Sequence, residues 1–246
     1  IQAYRVQAAL GLGIIALGLL CIMAKLGRPT RALNIFRHVQ SSWMTREAFA
    51  MPTLFGCGAL SLWQSEVGLM AIGATLSALF FLYCQARILE EAKGIPAWSE
   101  QKLVPLILAT GLAEGAGLAA LCAAVVPGSV SRALAGLLLV ALVLRHVAWR
   151  RYRKALDVTG TPRETIGVLQ SFAGGFELAG QWLPLVLLVA GMWFGDTALV
   201  TLAVVAGLIA TATGWALKYT IVVRAAFYQR KSFPLSAMMP SGRAGG

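Results

Sequence analysis

Long uncharged apolar runs alternate with short segments where the charges crowd together. A helix crossing about 30 Å of hydrocarbon needs about 20 mostly apolar residues. Seven stretches meet that pattern: 6–25, 47–64, 67–89, 103–126, 131–150, 168–195 and 198–224. Only Gln64, Ser65 and Glu66 separate the second, short stretch from the third. One helix from 47 to 89 is too long for a single crossing, so these two predict a tight helical hairpin. The alternation expected of barrel strands is absent. The pattern therefore predicts an all-α, polytopic transmembrane helical bundle of seven spans, with 1–246 as a single integral membrane domain. The first span starts almost at Ile1, with no signal peptide ahead of it.

Between the first two spans the pattern changes. Residues 27–46 predict an amphipathic segment lying at the interface. Pro29 opens it, Leu33, Ile35, Phe36 and Val39 form one apolar flank, and Arg31, Arg37 and His38 reach outward. Trp43 suits the aromatic belt of a membrane interface. Ser42 or Thr45 caps the next helix, whose first turn holds Glu47 and so complements the helix dipole. Residues 232–246 form a C-terminal tail with a Gly-rich end.

Composition strengthens this picture: 58% of the 246 residues are hydrophobic, 13% are charged, and the mean hydropathy is +0.74. A soluble core of this length cannot hide so many apolar residues, and a disordered chain or a disulfide scaffold is excluded. Lys and Arg number 21 against 10 Asp and Glu, a net charge of +11. No nucleic-acid partner is implied, because the basic residues sit between apolar runs. Nineteen of the 21 fall in loops on one side, leaving Arg5 and Arg132 on the other. The positive-inside rule makes the rich side cytoplasmic, with the N-terminus outside and the C-terminus inside a bacterial or archaeal cytoplasmic membrane. Arg150, Arg151 and Arg153, with Arg28 from the first loop, are candidates for docking a soluble partner. Attraction to anionic headgroups is the alternative for the same charges.

Two acids lie within spans, Glu114 in the fourth and Glu177 in the sixth. Intramembrane acids are costly and often functional, so each either pairs inside the bundle or forms part of a proton path. Lys218 can snorkel to the interface. His38 and His146 are too few for a pair of hemes stacked across the bilayer. Cys21, Cys57, Cys84 and Cys122 have no CxxC spacing and read as buried small hydrophobes. No metal site is expected on this chain. Gly111, Gly115, Gly117, Gly174 and Gly175 suit close helix packing.

The stretch LGRPTRALNIFRHVQSSWMTRE, residues 26–47, resembles the membrane anchors of dimethyl sulfoxide reductase-type complexes, the DmsC family, and more distantly NrfD-like anchors. Leu26, Gly27, Pro29, Arg31, Ala32, Asn34, Arg37, Ser42 and Glu47 carry the resemblance. Arg87, Ile95, Pro96, Ala97, Trp98 and Pro105 add to it, as do Arg224, Phe227 and Tyr228. Family members have eight helices, which implies a further helix ahead of the seven spans. The resemblance implies a quinone-reactive subunit with ubiquinone or menaquinone as cofactor. Its partners would be an iron–sulfur electron-transfer subunit and a molybdenum or tungsten pterin catalytic subunit, which alone carry the clusters and the pterin.

Glu47 then matches the residue that exchanges protons with the quinone. Lys25, Arg31, Asn34 and His38 can donate to its carbonyls, Trp43 can pack on its ring, and Arg46 lies beside the carboxylate. Lys25 stands where the sulfoxide-reductase branch has histidine, so that branch's proton route does not carry over. Those anchors hold the glutamate loop toward the periplasm, whereas the charge here puts it on the cytoplasmic side. The chain is loosely similar to anchors of phenylacetyl-CoA:acceptor oxidoreductases, which implies a cytoplasmic substrate such as an acyl-CoA and reduction of quinone. Two rivals remain open from the residues: a secondary transporter, and a structural anchor with no quinone site.

Overall fold

A computed structural model describes residues 2–25, 42–63, 68–122 and 131–227. Among them the chain is helical, without a strand. The helices are α1 (Gln2–Lys25), α2 (Trp43–Trp63), α3 (Leu69–Glu90), the single turn α4 (Pro96–Ser99), α5 (Leu103–Leu121) and α6 (Arg132–Val158). After them, α7 (Arg163–Gly175) runs through a π-helical stretch, Phe176–Trp182, straight into α8 (Leu183–Phe194). Last, α9 (Asp196–Tyr219) ends in a second π-helical stretch, Thr220–Arg224.

Six helices are long and apolar enough to cross a membrane: Tyr4–Ala24, Leu69–Glu90, Leu103–Leu121, Arg132–Val158, Arg163–Phe194 and Asp196–Arg224. The protein is a membrane protein built as a helical bundle. The short second span is present as α2, 21 residues long, but it falls outside these six. Its N-terminal turns hold Thr45, Arg46 and Glu47, and Pro52 lies inside it. It forms the expected hairpin with α3, since Glu47 meets Gln85 near one end and Cys57 lies against Gly73 nearer the turn.

Several boundaries move. The helix begins at Trp43, where the Ser42 carbonyl accepts from the Arg46 N–H, so 43–46 belong to α2. Glu47 therefore lies past the first turn, where the dipole's effect has faded. Thr45 is buried within the helix and does not cap it. The rest of the 27–46 segment falls mostly in 26–41, outside the described residues, as does the 232–246 tail. Helix α6 runs to Val158, well past the expected end at 150. Buried Trp149, Tyr152 and Leu156 explain this, because they form one apolar face that keeps packing after the outer face has turned basic.

Hydrogen bonds fix which helix ends lie together. At one end Tyr4 donates to Ser61 (3.0 Å), Gln7 to the Ala119 carbonyl (3.2 Å), and Arg132 pairs with Asp196 (3.1 Å). At the other, Gln85 donates to Glu47 (3.3 Å), Trp98 to the Ile221 carbonyl (3.0 Å) and Tyr152 to the Ala97 carbonyl (2.7 Å). The helices thus alternate up and down, and the segments richest in Lys and Arg share one end. That basic end is closed by the turn α4, wedged between the ends of α6 and α9.

The core changes character along the bundle. Toward the basic end it is large and aromatic, with Trp149, Tyr152, Phe176, Leu103, Leu106 and Ile221. Toward the opposite end α5 and α9 meet along small residues: Ala113, Ala116, Gly117, Ala203, Ala206, Gly207 and Ala210. Apolar contact with lipid costs nothing, so helix association here rests on close packing, which small residues permit. A Cβ at Gly207 would sit 2.6 Å from the Gly117 carbonyl oxygen, and one at Gly117 would sit 2.7 Å from that of Gly207. Helix α1 contrasts with this: the apolar window that qualifies it as a span has no buried residue.

Gly207→Ala should therefore lower stability by about 1–3 kcal/mol, since backbone must move to admit the methyl group. Gly136→Ala, whose Cβ meets nothing within 4 Å, should be neutral or slightly stabilising. Thermal unfolding of the two variants in detergent compares them directly.

Candidate functional site

Three polar groupings stand out, and the hairpin of α2 and α3 holds the first. Glu47 Oε1 accepts from Gln85 Nε2 at 3.3 Å. Four residues before Glu47, two guanidinium groups lie over the Trp43 ring, Arg46 at 4.2 Å and Arg87 at 4.9 Å. Tyr83 meets the same ring edge-on, with centroids 5.5 Å apart. Arg87 is held in place by ion pairs with Glu90 and, at 3.8 Å, Glu91. Each guanidinium gains cation–π attraction to the indole. The grouping offers a carboxylate, an amide donor and an aromatic surface at the basic end.

Trp43 and Arg46 thus meet on α2 beside Glu47 in sequence. Lys25 ends α1, and its side chain is outside the described residues, as are Arg28, Arg31, Asn34 and His38. Gln85, Tyr83 and Arg87 were not singled out for this site. Reflection of the hairpin about its midpoint near residue 65 would have found Gln85, because it sets position 47 opposite 84–85.

The second grouping lies where α6 meets the π-helical stretch after α7. Glu177 Oε1 accepts from Trp149 Nε1 and from Arg153 Nη1, each at 3.1 Å, and Arg150 approaches its other oxygen at 3.7 Å. The intramembrane acid of the sixth span and two of the docking cations therefore pair with each other. Arg151 and Lys154 remain on the exposed face of α6. A polar cleft of about 340 Å³ opens among Arg150, Arg153, Lys154 and Asp157.

The third grouping lies deeper and centres on Arg145, which the charge count had placed at the end of a span. It is instead fully buried. Arg145 Nη1 donates to the Ala210 carbonyl at 2.9 Å, and Nη2 donates to the Gly180 carbonyl. Gln181, also fully buried, accepts from Arg145 Nε (3.0 Å) and donates to the Leu142 carbonyl (3.2 Å). One side chain of α6 thereby ties the α7–α8 rod to α9. The clue in sequence was its setting, since apolar residues flank Arg145 on both sides.

Glu114 of α5 completes this interior group. Its Oε2 lies 2.5 Å from Lys218 Nζ, so Lys218 turns inward to a partner rather than only toward the interface. Its Oε1 packs against Gly214, where a Cβ would stand 2.6 Å away. Only glycine leaves room for the carboxylate.

His146 stacks obliquely with Trp182, centroids 5.4 Å apart. All four cysteines are free; Cys84 is buried, but Cys21 is exposed, because α1 has no covered face at that point. Among the described residues no group of three or more His, Cys, Asp or Glu gathers as metal ligands would. An apolar cavity of about 320 Å³ lies between α1 and α5, lined by Gln7, Ile14, Leu118 and Cys122 among others.

Arg145→Leu should destabilise the protein by roughly 2–5 kcal/mol, since it strands two buried carbonyls and the Gln181 amide. Glu177→Gln should cost under about 1 kcal/mol, because its ion pairs are partly exposed. Denaturant unfolding in detergent separates the two. Comparison of the chain with family models, with curated proteins and with solved structures finds no match.

Proposed function

We propose that the chain is the quinone-reactive membrane subunit of an oxidoreductase complex. A partner iron–sulfur subunit would exchange electrons with a quinone held near Glu47, and a molybdenum or tungsten pterin subunit would carry the substrate chemistry. The observation that carries the reading is the grouping of Glu47, Gln85 and Trp43 within the stretch that resembles the sulfoxide-reductase anchors. Its donor set fits the group. Quinone chemistry moves two electrons together with two protons. Glu47 exchanges a proton at its carboxyl and Gln85 holds that carboxyl in place, while Trp43, held by Arg46 and Arg87, walls the site with apolar surface.

The basic end faces the cytoplasm in this reading, by the positive-inside rule. The complex then oxidises a cytoplasmic substrate such as an acyl-CoA and reduces quinone in a bacterial or archaeal inner membrane. The interior group of Glu114, Lys218 and Arg145 favours a second reading, a secondary transporter, because intramembrane charges and interrupted helices often mark substrate sites. Uptake of a substrate by the purified chain alone would favour that second reading.

Glu47→Gln should abolish quinone-linked turnover while leaving complex assembly and artificial-dye activity intact. Unchanged quinone turnover would show that Glu47 has no such role. Gln85→Leu should lower the same activity by roughly fivefold to tenfold, the loss of about one hydrogen bond. A cysteine replacing Arg151 should react with an impermeant thiol reagent only from the cytoplasmic side. Labelling from outside would reverse the orientation.

A further inference from the structure

The outward stripe of α6 changes chemistry partway along. Val140, Leu144 and Val147 lie on it, each more than two-fifths exposed, and facing no other part of the protein they meet hydrocarbon. The same stripe continues one turn at a time into Arg151 and Lys154, both exposed. Helix α6 has 27 residues, about 40 Å at 1.5 Å per residue, against about 30 Å of hydrocarbon. Its basic turns therefore stand at the depth of the headgroups, and they point sideways, along the face that lower down meets lipid tails.

Two cavities lie near this stripe. The cleft of about 340 Å³ among Arg150, Arg153, Lys154 and Asp157 is polar and shares Lys154 with the stripe. A surface groove of about 530 Å³ runs along α8, lined by Trp182, Leu185, Val186, Val189, Trp193 and neighbours, and is almost wholly apolar. His146 joins them, since it lies one turn before Arg150 on α6 and packs on Trp182 at the head of the groove. From Trp182 to Trp193 the groove spans about 16 Å, half the thickness of the hydrocarbon. Around the cleft, Arg150, Arg153 and Lys154 face Asp157 and Glu177, an excess of one positive charge.

We infer that this surface is a binding site for one anionic phospholipid. The phosphate lies in the cleft with Arg150 and Lys154 as its main cations, because Glu177 holds Arg153 more closely, at 3.1 Å against 3.7 Å for Arg150. One acyl chain passes the His146–Trp182 contact and lies in the α8 groove. A basic cleft above an apolar groove one leaflet deep matches a charged headgroup with a tail. A soluble acidic partner would match only the cleft. The inference stands on α6 and α8 and is independent of the quinone reading.

The test uses the delipidated full chain in detergent. Phosphatidylglycerol should raise the melting temperature, whereas phosphatidylcholine and inorganic phosphate should not. The double variant Arg150→Ala/Lys154→Ala, altered only at exposed positions, should fold normally and bind phosphatidylglycerol roughly tenfold to thirtyfold more weakly. Val189→Trp, which fills the groove, should weaken phosphatidylglycerol binding while leaving the cations in place. Equal stabilisation by phosphatidylcholine, equal stabilisation by free phosphate, or an unchanged lipid response in the double variant would each overturn the site. Loss of a co-purifying soluble subunit in the double variant, with the lipid response intact, would assign the cleft to a protein partner instead.

Discussion

The bundle is organised around one guanidinium. Hydrocarbon offers no hydrogen bonds, so a cation placed inside it needs protein acceptors for its donors. Arg145 finds them on two neighbouring elements, at the Ala210 carbonyl on α9 and the Gly180 carbonyl in the π-helical stretch. Those bonds fix how α6, the α7–α8 rod and α9 sit against one another. Residues beside it take up the rest of its field and volume: Gln181 meets Nε, and Phe176 lies under the guanidinium at 5.3 Å. The polar site of Glu177 at the basic end is mounted on α6 and the α7–α8 rod, whose positions follow from this packing.

Much of the fold is written in the hydrophobic pattern. Six of the seven runs become long apolar helices, and the short second run pairs with the third as a hairpin. Period and run length suffice for that, because a membrane helix satisfies its own backbone. The grouping of basic segments at one end was legible for the same reason: an unbroken alternation of crossings leaves each loop only two choices. Helix ends were less legible. They depend on which faces remain buried after the apolar run stops, and Trp149, Tyr152 and Leu156 carry α6 onward through a segment whose composition alone looks like a loop.

The sites divide in the same way. Glu47 and Trp43 were named from the stretch that resembles the sulfoxide-reductase anchors, with Trp43 expected ahead of the helix that it in fact begins. Gln85 needed the register of the hairpin, a property of two segments together. The pairing of Glu177 with Arg150 and Arg153 needed the relative rotation of α6 and α7, which no single-segment pattern encodes. Arg145 was misplaced because a charge at the edge of an apolar run reads the same whether it faces water or two carbonyls. Composition gives the sign of the charge, and only packing tells where its field ends.

The paired glycines at 117 and 207 have a consequence beyond their own contact. A Cβ at either would lie within 2.7 Å of the other's carbonyl oxygen. Positions 117 and 207 are therefore not independent in sequence. A side chain at one forces the two backbones apart, and a side chain at the other then meets a seam already opened. The first change carries most of the loss and the second adds little. In evolutionary terms the two positions form an epistatic pair, and they would be expected to vary together even though neither offers a side chain to bind anything.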